Sequence, residues 1–272
     1  MKPHLIVLDL DGTLLTDEKV ISKETAKTLK LAEEQGHQVM IATGRPYRAS
    51  AMYYRQLGLK TPIVNFNGAF VHNPTDRSWK TVHETIPLPV VNDVVDALYD
   101  FRFHNIIAEV KDDVYLQYHD EKPLDILTFG DPVIKQGDIR EALQVEPTSL
   151  LIQADPKNVE PIRRHLAEVY AEVIDHRRWG APWAVIEIVR HGLNKAVGIS
   201  HVSKWLGIPQ ERIIAFGDED NDLEMIDYAG VGVAMGNGID RLKSIANEVT
   251  LTNNEDGIAE VLKERLLLTK KV

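Results

Sequence analysis

Apolar runs alternate with helical patterns in the first third of the chain. Residues 4–10 (HLIVLDL) form a nearly continuous apolar run, which is typical of a strand buried on both faces. Ser22 is a typical N-cap for the amphipathic segment that follows, and Gly36 ends that segment. Residues 37–42 and 61–66 repeat the strand pattern, with a helical segment between them. This order predicts an α/β fold with a doubly wound, Rossmann-like parallel sheet.

The last third of the chain repeats the alternation, whereas the middle differs. Helical patterns at 195–207 and 221–230 flank strand-like runs such as 212–218. Between them, pairs of neighbouring strand patterns stand close together among helices, which favours an antiparallel α+β unit. We therefore predict a first core segment at 1–83, an α/β cap domain at 84–190 and a second core segment at 191–272.

Composition narrows the classes of function. The 272 residues carry a formal net charge of −10, which argues against duplex nucleic acid or an anionic membrane as the main partner. The sequence has 0 cysteines, so thiolate catalysis, disulfides and zinc-thiolate sites are excluded. It contains no apolar run of the ~18 residues that span a bilayer, and no signal peptide pattern. A cytoplasmic, soluble globular protein is expected.

Polar clusters follow three of the predicted strands. They are DLDGT after the first strand, TGR after the second and GDEDND after a late one. Each cluster alone has a simpler interpretation, as a turn, a helix start or a solvated acidic loop. Together they indicate a site, because the carboxyl ends of parallel strands share one edge of the sheet and ligands bind there.

The residues at these strand ends suit phosphoryl transfer assisted by Mg²⁺. Asp9, the carbonyl of Asp11 and Asp218 offer the hard oxygens that Mg²⁺ prefers. A carboxylate can also attack phosphorus and form an aspartyl-phosphate. Asp11 lies two residues further on, in range to protonate the leaving oxygen and later to deprotonate water. Gly12 allows the tight turn between them and the next loop.

Four motifs resemble those of the haloacid dehalogenase-type phosphatase superfamily. They are DLDGT, ATGRP, the lysine of GLNKA, and GDEDND. The strings NGAFV, YAGVGVAMGNG and EDGIAEVL are similar to those of its Cof-type branch, which carries a large α/β cap of C2B type. The sequence departs from the branch at Asn194, where serine is common, and at Ala196, where glycine is common. The resemblance covers both core segments, and the cap matches by position and pattern.

The resemblance implies a role for each matching residue. Asp9 would be the nucleophile and a Mg²⁺ ligand, and Asp11 the general acid and base that also binds the ion through its carbonyl. Asp218 would bind the ion directly. Asp222 would bind it directly or through a water molecule, or would contact the ligands of the ion without binding it. The phosphoryl group would be held by Leu10, Thr43, Gly44, Lys195 and Asn221.

Three residues near the domain junction are candidates for leaving-group contacts, namely Arg45, Asn67 and His191. The predicted activity is hydrolysis of a small phosphorylated metabolite, such as a sugar phosphate, pyridoxal phosphate or flavin mononucleotide. A phosphomutase or phosphotransferase on the same aspartate, and a phospholigand-binding regulator without turnover, are the alternatives. No nucleic acid, membrane or obligate protein partner is expected.

Overall fold

The chain divides into two compact units. The computed structural model describes residues 2–119, 125–179 and 183–268. The first unit comprises Met1–Gly44, Met52–Thr81 and Asn194–Val272, and the second comprises Arg45–Ala51 and Val82–Leu193. The short segment Arg45–Ala51 was not anticipated as belonging to the second unit. The domain borders predicted at 83/84 and 190/191 stay predictions.

The strands of both units follow in chain order. They are β1 (Leu5–Leu8), β2 (Gln38–Ile41), β3 (Ile63–Asn65), β4 (Phe70–His72), β5 (Val82–His83), β6 (Phe103–Val110), β7 (Asp113–Leu116), β8 (Ile134–Gln136), β9 (Ser149–Ala154), β10 (Ile174–Arg178), β11 (Val185–Arg190), β12 (Ile213–Gly217), β13 (Val231–Ala234) and β14 (Glu248–Val249).

The helices are likewise numbered along the chain. They are α1 (Lys23–Glu34), α2 (Tyr47–Leu57), α3 (Leu88–Leu98), α4 (Asp125–Thr128), α5 (Ile139–Ala142), α6 (Val159–Val169), α7 (Lys195–Leu206), α8 (Leu223–Tyr228), α9 (Asp240–Ile245) and α10 (Gly257–Leu266). Within the ranges given above, none of these helices is both long and apolar enough to cross a bilayer.

The first unit is built on a parallel sheet with the strand order β14-β13-β12-β1-β2. β1 is buried along its whole length and pairs in parallel with β2 on one side and β12 on the other. The apolar run at the start of the sequence is thus an inner strand of the sheet, and it is buried as its composition predicted. Ser22 caps α1, accepting a hydrogen bond from the Thr25 N–H at 3.0 Å. The predicted fold class is confirmed.

β3 departs from the expected pattern. It pairs antiparallel with β4, and beyond the end of β2 it forms an isolated parallel bridge between Ala42 and Val64. The chain turns back immediately after β3, so β3 and β4 form a hairpin instead of a full strand of the parallel sheet. This tight reversal places residues 66–68 beside the end of β2.

The second unit contains a sheet with the order β10-β11-β9-β6-β7-β8. One face packs its apolar side chains against α3, α5 and α6. The expectation of an antiparallel unit holds for the pairings of β6, β7, β9, β10 and β11. β8 instead pairs in parallel with β7. The sheet is therefore mixed.

Candidate active site

The site begins where β1, an inner strand of the parallel sheet, ends. Leu8, the last residue of β1, lies beside Ile41 of β2 and Phe216 of β12 in the parallel register. Asp9 follows at once, and its N–H donates to the Phe216 carbonyl at 3.2 Å. Leu10 is fully buried. The loops after β1, β2 and β12 therefore leave the sheet side by side at one edge.

Lys195 is a fully buried ammonium paired with two carboxylates. Its Nζ lies 2.6 Å from Asp9 Oδ1 and 2.6 Å from Asp222 Oδ1. Lys195 opens α7, whose N-cap Asn194 accepts the N–H of Val197 through its side chain at 3.1 Å. A buried charge without partners would cost several kcal/mol, so this double pairing is what allows the lysine to be there.

A third carboxylate completes the cluster. Single oxygens of Asp9, Asp218 and Asp222 all lie within 4.8 Å of one another. Thr13 Oγ1 donates to Asp218 Oδ1 at 2.8 Å, a contact that the sequence did not indicate. Gly12 has φ +76, and a Cβ there would lie 2.2 Å from Asp218 Oδ2. Only glycine at this position lets the Asp218 carboxylate come so close to the turn after β1.

The loop after β12 is organised around Asp222. Its Oδ2 accepts the N–H of Asp218 at 2.9 Å and of Glu219 at 3.1 Å, while its Oδ1 binds Lys195. A Cβ at Gly217 would lie 2.6 Å from the Asp222 side chain. Both Asp222 oxygens are thus already hydrogen-bonded, which suits a carboxylate that orients its neighbours.

The electrostatics of this cluster favour a further positive charge. Burial, and then the negative charge of Asp222, raise the pKa of Asp9 to about 7, although Lys195 acts in the opposite sense. Burial and the charges of Asp9 and Asp222 raise the pKa of Asp218 to about 8. Burial alone would lower the pKa of Lys195, but the two carboxylates outweigh it and raise that pKa. Three hard carboxylates facing one ammonium form a donor set that fits a divalent cation.

Asp11 lies outside this cluster, on the turn after β1. Its side chain is 43% exposed, and its Oδ1 lies 2.8 Å from Lys19 Nζ. Lys19 has φ 59, and its carbonyl accepts the Tyr53 hydroxyl at 3.0 Å. Sequence reasoning missed Lys19, because no motif marks it and its place depends on a left-handed turn.

The loops after β2 and β12 carry three of the residues predicted to hold phosphate, namely Thr43, Gly44 and Asn221. Thr43 is buried, and its N–H donates to the Val64 carbonyl at 2.9 Å. The Asn67 N–H donates to the Thr43 carbonyl at 3.1 Å, and Asn67 Oδ1 accepts Asn221 Nδ2 at 3.0 Å. A Cβ at Gly44 would lie 3.1 Å from Asn67 Nδ2. Asn67 thus contacts both loops at once.

The other two candidates for leaving-group contacts belong to the second unit. Arg45 Nη1 donates to the Ala49 carbonyl at 3.1 Å, within the first turn of α2. His191 Nδ1 lies 3.1 Å from Asp175 Oδ1. Their role toward a leaving group stays a prediction.

Comparison with known proteins agrees with this geometry. A family model described as haloacid dehalogenase-like hydrolase matches residues 6–262. The 5-amino-6-(5-phospho-D-ribitylamino)uracil phosphatase YitU of Bacillus subtilis (strain 168) is 57% identical over 97% of this chain and 97% of its own. The pyridoxal phosphate phosphatase YbhA of Escherichia coli (strain K12) is 30% identical over 98% of this chain and 100% of its own.

A solved structure has the same architecture over nearly the whole length. It is that of a haloacid dehalogenase-like hydrolase from Bacteroides thetaiotaomicron, with a TM-score of 0.84 and 30% identity, covering 97% of this chain and 99% of that one. The family match, these relatives and the buried aspartate cluster lead to one conclusion. This chain belongs to the haloacid dehalogenase-like hydrolase family, and it is a phosphatase.

Proposed function

We propose that the protein hydrolyses small phosphomonoesters in two steps through an aspartyl-phosphate on Asp9. The observation that carries this proposal is the buried pairing of Asp9 with Lys195, 2.6 Å apart, beside Asp218 and Asp222. Lys195 holds Oδ1, so we assign the attack on phosphorus to the second Asp9 oxygen. The ammonium favours the ionised form of the nucleophile and faces the charge that develops on the phosphoryl oxygens.

In the first step, Asp9 forms a bond to phosphorus and the ester P–O bond breaks. The leaving oxygen takes its proton from the Asp11 carboxyl group. In the second step, the Asp11 carboxylate takes a proton from water, and the resulting oxygen attacks phosphorus. The bond to Asp9 breaks, inorganic phosphate leaves, and both aspartates return to their starting states. The N–H groups of Leu10 and Gly44, with Thr43 and Asn221, would hold the phosphoryl oxygens throughout.

We assign a Mg²⁺ site to Asp9, Asp218 and the carbonyl of Asp11, with Asp222 acting from behind. Both Asp222 oxygens are used by Lys195 and by the N–H groups of the loop, which supports the indirect role. When bound, the ion would offset the negative charge of the carboxylates and polarise the transferring phosphoryl group.

For the substrate, we propose a phosphate ester at the end of a polyol chain attached to a nitrogen heterocycle. The support is the 57% identity over nearly the whole chain to a relative named for 5-amino-6-(5-phospho-D-ribitylamino)uracil. Pyridoxal phosphate, for which a 30% identical relative is named, and hexose phosphates are the comparison substrates.

Hydrolysis of p-nitrophenyl phosphate with Mg²⁺ tests the mechanism. We expect Asp9→Asn and Asp11→Asn to lower kcat by at least about 10³-fold, because each removes a reacting carboxylate. Asp227→Asn, an exposed carboxylate on α8, is the matched control and should keep wild-type activity. Retained turnover in both site variants would overturn the mechanism.

The same preparations test the reaction type and the substrate. When the substrate carries a labelled phosphoryl group and a second sugar is present, the label should appear in inorganic phosphate. Label in the second sugar would instead indicate a phosphotransferase. The kcat/KM for the ribitylaminouracil ester should exceed those for pyridoxal phosphate and hexose phosphates by about tenfold or more. Equal values for all three would contradict the proposed substrate class.

A further inference from the structure

The turn after β3 has an unusual backbone. Phe66, Asn67 and Gly68 have φ of 49, 51 and 106, so three consecutive residues lie in the left-handed region. Phe66 and Asn67 are almost fully buried. Left-handed backbone costs about 1–2 kcal/mol for a residue with a side chain. Such strain persists only where the surroundings determine it, and it concentrates at functional sites.

The turn contacts the elements that carry the predicted phosphate-binding residues. The Asn67 N–H donates to the Thr43 carbonyl at 3.1 Å, and Asn67 Oδ1 accepts Asn221 Nδ2 at 3.0 Å. On its other side, a Cβ at Gly68 would lie 2.3 Å from the carbonyl oxygen of Asn194, the residue before Lys195. One reversal therefore adjoins the loops after β2 and β12 and the start of α7.

The contact with Asn221 determines the orientation of a side-chain amide. A carboxamide oxygen can only accept, so the atom of Asn221 that faces Asn67 Oδ1 must be the NH₂ nitrogen. This nitrogen has two N–H groups, and only one is used by Asn67. The other N–H is therefore held in a fixed direction and can donate to an anion. Without Asn67 the amide could rotate and present its oxygen, which would repel phosphate.

We propose that Asn67 is a positioning residue for phosphate binding, which fixes the Asn221 amide with its donor toward the phosphoryl group. This rests on the proposed function, in which Asn221 contacts phosphate. It differs from the leaving-group contact predicted from the sequence, because the side chain is buried against Asn221. The backbone N–H of Asn67 supports Thr43 separately and does not depend on the side chain.

A double-mutant cycle separates this role from a structural one. Asn67→Gly removes the acceptor oxygen, keeps the N–H to Thr43, and suits the left-handed backbone, so the variant should fold with a Tm near that of the wild type. We expect Asn67→Gly and Asn221→Ala each to raise the KM for p-nitrophenyl phosphate and the Kd of inorganic phosphate about tenfold, with a smaller effect on kcat. The double variant should be within about twofold of Asn221→Ala alone, because the two side chains act as one unit.

A second variant keeps the test decisive if Asn67→Gly folds poorly. Asn67→Asp retains an acceptor oxygen and tolerates a left-handed backbone. Adding Asn221→Ala to the Asn67→Asp protein should therefore still weaken phosphate binding about tenfold, and an unchanged Kd there would overturn the proposal without use of Asn67→Gly. Where Asn67→Gly folds, adding Asn221→Ala to it should have almost no effect. Independent effects that multiply to about a hundredfold in the Asn67→Gly, Asn221→Ala protein would overturn the proposal, as would wild-type phosphate binding by Asn67→Gly.

Phosphate binding measured by calorimetry needs no turnover. Independent effects of Asn67 and Asn221 on phosphate binding would contradict only the role proposed for Asn67. Retained hydrolysis by Asp9→Asn would contradict only the proposed mechanism. The two failures can therefore be told apart.

Discussion

At the residue scale, the charges around Lys195 decide how the site responds to pH. Asp9 and Asp218 have pKa values raised to about 7 and about 8 in the folded, metal-free protein, against an ordinary value of 3.8. Below pH 3.8 both groups are protonated in the folded and the unfolded chain, so no stability is lost. As the pH rises, the unfolded chain releases these protons first, and the folded state loses stability until the folded pKa values are passed.

We therefore expect the metal-free protein to be less stable near pH 8 than near pH 5 through these two groups, by about 5 °C or more in Tm. Mg²⁺ should raise the Tm more at the higher pH, because the ion binds the ionised carboxylates. Calorimetric scans of wild type and Asp218→Asn, each with and without Mg²⁺, provide the measurement.

The comparison with Asp218→Asn is needed because other groups act in the opposite sense. Burial lowers the pKa of His4 and of His37, so these side chains favour stability as the pH rises. The difference between wild type and variant cancels that contribution. A difference that does not change between about pH 5 and pH 8 would contradict the raised pKa of Asp218.

The sequence indicated the site residues at the strand ends more readily than the residues that contact them from elsewhere. Asp9, Thr43 and Asp218 each follow an apolar strand, so their common edge of the sheet could be predicted from pattern alone. Lys19 could not be found in this way, since its contact with Asp11 depends on a local left-handed turn.

At the element scale, the hairpin of β3 and β4 determines how closely α7 can approach. Gly68 has φ +106, and a Cβ there would lie 2.3 Å from the Asn194 carbonyl oxygen. The strand pattern at 61–66 did not reveal the antiparallel pairing of β3, because a short apolar run does not indicate its partner. The same limit applies to β8, because its short run of residues does not reveal a parallel pairing with β7.

Gly68→Ala tests the close approach, with Gly36→Ala as its matched control. Gly36 has φ +93 and would have nothing within 4 Å of a Cβ, so its variant carries only the backbone cost of about 1 kcal/mol. Gly68→Ala adds a clash with backbone, and we expect a total loss of about 3 kcal/mol or more. Urea unfolding measures both.

Activity gives a second measure of the same contact. Displacement of Asn194 would move Lys195, the next residue, so Gly68→Ala should also lose most of its kcat while Gly36→Ala keeps it. Equal losses of stability in the two variants would show that the Asn194 carbonyl leaves room for a side chain at position 68.

At the scale of the whole molecule, α2 belongs to both units. Its first turn lies in Arg45–Ala51, which groups with the second unit, and the rest groups with the first. Arg48 is buried in the second unit, where Nη2 lies 2.6 Å from Glu109 Oε1 and the backbone N–H donates to Asp112 at 2.8 Å. Ser149 Oγ donates to the other Glu109 oxygen at 3.1 Å. Burial raises the pKa of Glu109, and Arg48 opposes that rise.

Removal of one partner of this pair should be costly. We expect Arg48→Met to lower the free energy of unfolding by about 3–5 kcal/mol, because Glu109 would be left buried without its counter-charge. Adding Glu109→Leu should recover much of the loss. Arg241→Met breaks an exposed pair with Asp220 and should cost less than about 1 kcal/mol. A cost for Arg48→Met as small as this control would contradict the assignment.

The fold class could be read from the alternation of strands and helices, whereas this buried pair could not. Arg48 and Glu109 are 61 residues apart, and neither lies in a motif. Nothing in the local pattern tells a buried arginine from a solvated one.

The position of β1 between β2 and β12 also determines when the sheet can be completed during synthesis. Thr13 and Asp218, which meet beside β1, are 205 residues apart. A ribosome adds about 5–20 residues per second, so roughly 10–40 s pass between the appearance of β1 and that of β12. During that time one edge of an apolar strand has no partner, and such edges invite association with other chains. The nascent chain also carries its nucleophile long before Lys195 and Asp218 exist. Catalytic competence is therefore acquired late in synthesis, and slower elongation prolongs the exposure of the β1 edge.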